Sequence, residues 1–243
     1  MMAMEFKFHR RETTASTNAD AREGRPGDVF AAEFQTAGRG RLDHDWHAAR
    51  GENLTFSVVL DAADASPAEV ATLPLVVGLA VVRAVGALLG KISDVAVKWP
   101  NDVLVGGKKI CGILCERKGD AVIAGVGLNV NQTDFPAEIV ARATSLRLVV
   151  GSPFDRDYVL NVVVAEIGDM HSRWLRGGFA ALRGAFAAFD LLKGREVAVL
   201  ATDGDTTPVK GLCGGVQEDG SLLLGATKVY AGEAHVLDAG LTL

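Results

Sequence analysis

Cysteine is scarce in this 243-residue sequence: Cys111, Cys115 and Cys213 are the only three, and no histidines stand at zinc spacing around them. Such a set makes neither a disulfide framework nor a structural metal site, and it fits ordinary thiols in a reducing compartment. Cys111 and Cys115 lie four apart in an apolar stretch, so in a strand they share a face. Proline is scarce too, 7 against 28 glycines, which points to many turns and close backbone approaches without low complexity. Positive charge is not in excess. The formal net charge is -5, which argues against a dedicated nucleic-acid binder, though not against a local basic pocket. The first eleven residues are mixed and charged, with no apolar run of a signal peptide. The most apolar stretch, residues 73–90, carries Arg83 and several glycines and alanines. It reads as a buried core helix, not a membrane span. A cytoplasmic protein is expected.

What is present is a 49% hydrophobic content, enough for one large domain or one large and one small. Residues 29–36 and 53–60 read as strands. Ser66-Pro67-Ala68-Glu69 is a helix start with its cap, first-turn proline and capping glutamate, and the helix should run on towards Gly90. Short strands are expected at 95–98 and 103–105, either side of Pro100-Asn101-Asp102. Two antiparallel strands follow at 109–117 and 121–131, then helices over 155–176 and 179–189. After about Asp190 the pattern changes to evenly spaced short strands, at 196–200, 209–217, 221–224, 228–230 and 234–237, as in a small barrel. The expected division is an α/β unit over 1–189 and a compact β unit over 190–243.

Three segments carry chemistry. Gln35-Thr36-Ala37-Gly38-Arg39-Gly40-Arg41, with Trp46 five residues on, pairs glycines that admit a ligand to the backbone with arginines suited to phosphate or carboxylate. It is not a Walker A loop, since no Gly-Lys-Ser/Thr follows. Taken alone, a solvated charged loop is the commoner explanation of such a segment. Lys98-Trp99-Pro100-Asn101-Asp102 holds a lysine at a strand end, where it would neutralise charge developing on a phosphate and an attacking carboxylate. In isolation, a turn with an exposed lysine explains it equally well. Gly125 to Asn131 puts glycines inside a strand, the mark of a bulge or a closely approaching ligand. Asn129 and Asn131 share a face there, placed to bond a ribose, a phosphate or metal-bound water. His9, His44, His47, His171 and His235 are scattered, with no nucleophile–base signature. His44 alone sits in a candidate loop.

The ordered combination is more specific than any part. Ser16-Thr17-Asn18, Gln35 to Arg41, Trp46, Lys98 to Asp102, Lys108 to Leu114, Gly125 to Asn131, Thr144-Ser145-Leu146 and Gly232-Glu233 together resemble the bacterial biotin–protein ligase family over residues 13–240. The resemblance implies an α+β fold, a mixed or antiparallel sheet with helices like that of class II synthetases, followed by a small SH3-like β-barrel. It implies activation of biotin by ATP, with Mg2+, to biotinyl-5'-AMP and transfer to a lysine of a biotin carboxyl carrier protein. Ser16, Thr17, Asn18, Gln35, Gly38, Gly40 and Gly112 would then form the biotin site, with Arg39, Arg41 and Lys98 as both biotin-binding and catalytic groups. Arg41, Trp46, Asn101, Asn129 and Asn131 would serve the nucleotide. Metal ligands are not identified.

The family loop usually continues with a glycine and an arginine where this chain has Asp43 and His44, which lowers its positive charge and backbone freedom. Arg39 and Arg41 remain, so retention of the adenylate is expected. Such chemistry needs cations where two anions meet, a loop that excludes water, and no side-chain nucleophile. Rival readings are a lipoate ligase or octanoyl transferase of the same fold, a biotin-sensing repressor, and a biotin-binding module without activity. About 15 residues precede Ser16, too few for a DNA-binding domain, and there is no Met-Lys-Met acceptor hairpin. No DNA or membrane partner is expected. A homodimer through an exposed sheet edge is possible.

Overall fold

A computed structural model describes residues 4–43, 45–90, 94–200 and 207–237. Seven strands form the main sheet: β1 (Lys7–Arg11), β2 (Asp28–Ala32), β3 (Leu54–Asp61), β4 (Val95–Lys98), β5 (Asp102–Val105), β6 (Lys108–Lys118) and β7 (Ala121–Leu128). Their order is β1-β2-β3-β7-β6-β5-β4. β1 and β2 pair in parallel and all other neighbours are antiparallel, the mixed sheet the sequence led us to expect. Among the described residues six α-helices accompany it: α1 (Thr17–Asp20), α2 (Pro67–Val70), α3 (Leu73–Leu89), α4 (Leu146–Val150), α5 (Arg156–Gly177) and α6 (Ala180–Phe186).

Successive side chains on a strand point to opposite faces, and here the two faces differ in chemistry. Phe56, Val58 and Leu60 of β3, Val122, Ala124, Val126 and Leu128 of β7, and Cys111 and Ile113 of β6 enter one hydrophobic core. α3 and α5 cover that face. α3 buries twelve of its seventeen residues. α5 turns in Val159, Leu160, Val163, Val164, Ile167, Met170 and Trp174 at helical spacing. The alternate positions, Thr55 and Ser57, Gly125 and Gly127, Gly112 and Leu114, face the other way. Residues 67–89 have the length and hydropathy of a membrane-crossing helix, yet 72% of that apolar window is buried inside the fold.

The C-terminal strands β8 (Glu196–Leu200), β9 (Val209–Val216), β10 (Leu222–Leu224), β11 (Thr227–Val229) and β12 (Glu233–Val236) form an antiparallel sheet in the order β11-β10-β9-β8-β12. It shares the core of the main sheet through Val197, Val199, Cys213, Val216, Leu222 and Leu224. Polar links add to this. Val97 N donates to Phe189 O at 2.8 Å, and Leu191 N donates to Val97 O at 2.9 Å. Trp99 Nε1 donates to Gly220 O at 3.0 Å. Asp190 accepts from the amides of Leu192 and Val216, both at 3.0 Å.

Three expectations need correction. The helix over 66–90 is two helices. Ser66 and Glu69 form the capping box, but the chain breaks at Ala71-Thr72, because Pro74 in the first turn of α3 has no N–H to continue the ladder. Thr72 holds the break, donating to Glu69 O and accepting from Trp174 Nε1. The strand over 121–131 ends at Leu128. Beyond it, Asn131 closes both ends of its amide on the backbone of Phe154, at 2.9 Å each. The strand over 29–36 stops at Ala32. β1 was not apparent from sequence: it is a charged edge strand with little burial.

His171 is fully buried on α5, its Nε2 2.8 Å from Asp61 O, and Nδ1 has no partner among the described residues. Burial pulls its pKa down. The unfolded imidazole protonates near pH ~6.5 while the folded one resists, so stability present above that pH falls as pH drops towards the folded pKa. We expect His171→Gln, which still donates to Asp61 O and does not titrate, to flatten this dependence. Thermal midpoints of both proteins between pH 5 and 7.5 check it; parallel pH profiles refute it.

Candidate functional site

The polar face of the sheet opens into a cavity of about 1020 Å³, mouth included. It runs across β3, β7, β6, β5 and β4, and neighbouring strands lie about 4.8 Å apart, so its length is roughly 19 Å. Its floor is Gly112, Gly125 and Gly127. A Cβ at 127 would overlap the indole of Trp46, and one at 112 would stand 3.1 Å from Trp46 Cζ3. A Cβ at 125 would overlap the amide of Asn18. Glycine is required here because other side chains lie directly on the sheet backbone. Trp46 Nε1 is buried and has no partner among the described residues.

At the β3 end the wall is neutral and hydrogen-bonding. Ser16 caps α1 in an extended conformation, and its hydroxyl makes no capping bond. The turn presents Thr17 and Asn18, both buried. Thr17 N and Oγ1 donate to Gln35 Oε1 at 2.7 and 3.1 Å. Ser57 Oγ lies 2.7 Å from Thr17 Oγ1 and 2.6 Å from Asn18 Oδ1. Asn18 Nδ2 donates to Glu116 Oε2 at 2.6 Å.

At the β4 end the wall is cationic. Lys98 closes β4 opposite Asp102. Burial draws its pKa down, Asp102 and Glu233 oppose that shift, and Lys109 and Arg142 add to it. Lys109 Nζ stands 2.7 Å from Asp102 Oδ1 and 5.9 Å from the centroid of a Trp46 ring. Arg41 Nη1 donates to Asn101 Oδ1 at 3.3 Å, and Asn101 in turn donates to Ile113 O at 2.8 Å. Burial lowers the Arg41 pKa, against Asp102 and Glu233. Glu233 comes from the C-terminal sheet, with Gly232 and Ala234 beside it on the wall.

Among the described residues, Gln35, Arg39 to Leu42, Asp45 and Trp46 bring the loop from Gln35 to Trp46 over the cavity. Trp46 N donates to Gly38 O at 3.0 Å, and the backbones of Arg39 and Asp45 pair as an isolated antiparallel bridge. Arg39, Gly40 and Arg41 line the cavity. Gly38 does not; it lies where a Cβ would crowd Trp46 O and Gln35 Nε2. The left-handed residue is Leu42, at φ 54 and ψ 39, one before Asp43. A branched side chain there costs about 1–2 kcal/mol. His44 lies outside the described residues.

Of the candidate site residues, Ser16, Thr17, Asn18, Gln35, Arg39, Gly40, Arg41, Trp46, Lys98, Asn101 and Gly112 meet at this cavity. Asn129 and Asn131 do not line it. Asn131 is consumed by Phe154, and Asn129 Nδ2 donates to Thr144 O, leaving a buried Oδ1 without a partner among the described residues. Their expected shared face belonged to a strand that ends before either. Thr55, Ser57 and Glu116 were missed. Only knowing which strand face is polar singles them out. A neutral donor–acceptor end, a glycine and indole middle and a cationic end together suit an elongated ligand with a polar head, an apolar tail and an anionic group.

Residues 7–132 match the biotin/lipoate A/B protein ligase family. Over 235 residues the chain is 35% identical to a biotin–[acetyl-CoA-carboxylase] ligase of Mycobacterium tuberculosis, covering 93% of this chain and 85% of that protein. It is 33% identical over 221 residues to the bifunctional ligase/repressor BirA of Bacillus spizizenii, covering 86% of this chain but 66% of that protein's length. A solved structure, biotin protein ligase from Aquifex aeolicus in complex with biotin and ATP, matches with a TM-score of 0.84 at 30% identity, over 96% of this chain and 99% of that one.

Gly127→Ala should force the Trp46 indole off the sheet, at an overpacking cost of about 1–3 kcal/mol. A red-shifted tryptophan emission with a lowered thermal midpoint is expected. Unchanged emission refutes the packing of Trp46 on this glycine.

Proposed function

The chain belongs to the biotin/lipoate A/B protein ligase family, and on that premise we propose that it joins biotin to AMP from ATP and passes the biotinyl group to a lysine of a biotin carboxyl carrier protein. The observation that carries this reading is the order of groups across the sheet. Biotin has a ureido head, an apolar valeryl tail and a carboxylate, and the cavity offers hydrogen-bonding, apolar and cationic sections in that sequence.

Adenylation brings two anions together. A carboxylate oxygen of biotin attacks the α-phosphorus of ATP, and diphosphate leaves. Lys98 and Arg41 would neutralise that charge from a partly desolvated wall, where fixed cations act most strongly, and Arg39, exposed on the loop, would add a third cation. The loss of water that lowers the Lys98 pKa is offset once an anion arrives beside it. The resulting anhydride is labile to water. Arg39 to Leu42, Asp45 and Trp46 line the cavity with Trp46 lying over its floor, an arrangement suited to excluding water from the anhydride. The acceptor amine then attacks the acyl carbon and AMP leaves, so no side-chain nucleophile is needed. Ser16, Thr17 and Gln35 take the ureido head, Gly112 the tail, and Arg41, Trp46 and Asn101 the nucleotide.

Among the described residues no group of three His, Cys, Asp or Glu side chains is placed to hold a metal ion. Asp102, the carboxylate between the cations, is paired with Lys109. The described residues therefore provide no magnesium cage. In this reading residues 1–189 are the catalytic unit and 190–243 an SH3-like cap whose Gly232 and Glu233 complete the wall. A cytoplasmic setting, where ATP is abundant, belongs to it. So does a homodimer edge at β1, whose outer side has no neighbouring strand among the described residues.

Diphosphate release with biotin, ATP and magnesium, run against lipoate, tests the reading; release with lipoate and none with biotin would overturn it. Lys98→Ala should slow adenylate formation by about 10²–10³-fold, and near-normal rates would refute its role. Arg41→Gly should let labelled adenylate escape about tenfold faster. Equal retention in both proteins counts against closure by this loop.

A further inference from the structure

We propose that Glu116 is a positioning residue that sets the donor and acceptor pattern of the head-group end of the cavity, acting through Asn18. The inference rests on the biotin reading above. Glu116 follows Cys115 on β6, on the same face as Gly112 and Leu114. It is not part of the main cavity wall. One carboxylate oxygen, Oε2, accepts from Asn18 Nδ2 at 2.6 Å; the other, Oε1, lies 3.7 Å from Arg22 Nη2 in an exposed ion pair.

An asparagine amide has two ends of nearly equal shape, and its neighbours decide which way it faces. An ionised carboxylate only accepts, so Glu116 takes the NH2 end, with Leu114 O behind it at 3.4 Å. The oxygen of Asn18 is thereby turned to Ser57 Oγ at 2.6 Å. That fixes the Ser57 proton on Asn18. Ser57 would otherwise donate to Thr17 Oγ1, 2.7 Å away. Thr17 is left with a lone pair for a ligand N–H, while its own proton is spent on Gln35 Oε1 or Ser57 Oγ. Gln35 Oε1 is held by Thr17 N at 2.7 Å, so the Gln35 amide offers its Nε2 donors. The end of the cavity therefore presents an acceptor beside a donor, the complement of a cyclic urea with an N–H beside a C=O.

Two details support a dedicated arrangement. Asn18 is 5% exposed, so losing its carboxylate partner would leave a buried donor poorly satisfied. Gly125 is what admits the amide, since any Cβ there would overlap it. Without Glu116 the amide is free to turn its NH2 to Ser57, the Ser57 proton moves to Thr17, and one of the two Thr17 lone pairs is taken before a ligand arrives.

The full chain is titrated with biotin by calorimetry, alongside steady-state diphosphate release. Glu116→Ala should raise the biotin Kd and KM about tenfold or more, with kcat at saturating biotin and the KM for ATP close to normal. Glu116→Gln, whose side-chain oxygen still accepts from Asn18, should return both to within about threefold of the parent. Gly125→Ala should mimic the alanine variant with Glu116 intact. If Glu116→Ala does not fold, Glu116→Met, of similar shape but without the acceptor, replaces it in the comparison with Glu116→Gln. Equal biotin affinity across these variants overturns the assignment, as does a folded Glu116→Gln that fails to rescue. A parallel rise in the KM for ATP also overturns it. A parent protein that binds no biotin overturns the functional reading itself, a result distinct from parent binding with indifferent variants.

Discussion

Side chains on β6 and β7 alternate between two faces, and the site depends on what that alternation leaves bare. Val122, Ala124, Val126 and Leu128 fill the core under α3 and α5. The intervening Gly125 and Gly127, with Gly112 beside them on β6, leave the opposite face without side chains over its central strands. Asn18 and Trp46 lie in that space, directly over peptide planes. A register slip of one residue would exchange the faces, burying the glycines and exposing the valines, so core packing and site geometry are set by the same pairing.

The cationic end depends on a different coupling. Lys98 sits at the end of an edge strand whose outer side is paired by Phe189 and Leu191 through Val97. The following Trp99 is buried and tied to Gly220 of the C-terminal sheet. Glu233 of the same sheet faces Lys98 and Arg41. The small C-terminal sheet is thus part of the site's electrostatics as well as of its support.

Much of this was legible in the sequence, for physical reasons that differ by residue. The capping box at Ser66 and Glu69 is local chemistry and reads directly. The Lys98–Asp102 segment could be placed because Lys98 and Asp102 pair across a three-residue connection. Glycines inside an otherwise apolar strand suggested a bulge or a close approach, and the groups that approach Gly125 and Gly127 are the chain's own Asn18 and Trp46. What could not be read depends on contacts distant in sequence. Ser57 and Glu116 matter only because α1 folds back over β3 and β6. Asn131 matched a motif in one dimension, but the strand that would have carried it to the cavity stops three residues earlier, and Phe154 takes its amide. β1 was missed because an edge strand is free to be charged, so it carries no apolar alternation.

The pairing of Val97 with residues 189–191 also bears on how the molecule is made. Synthesis runs from the N-terminus, so Lys98 leaves the ribosome well before the segment that pairs its strand, and before the Gly220 carbonyl that receives Trp99. A nascent chain can lay down β1 to β3 with β7 and β6, and with them the floor and the hydrogen-bonding end. The cationic end waits for residues 189–220. The polypeptide is thereby assembled with its charge-handling end after its hydrogen-bonding end.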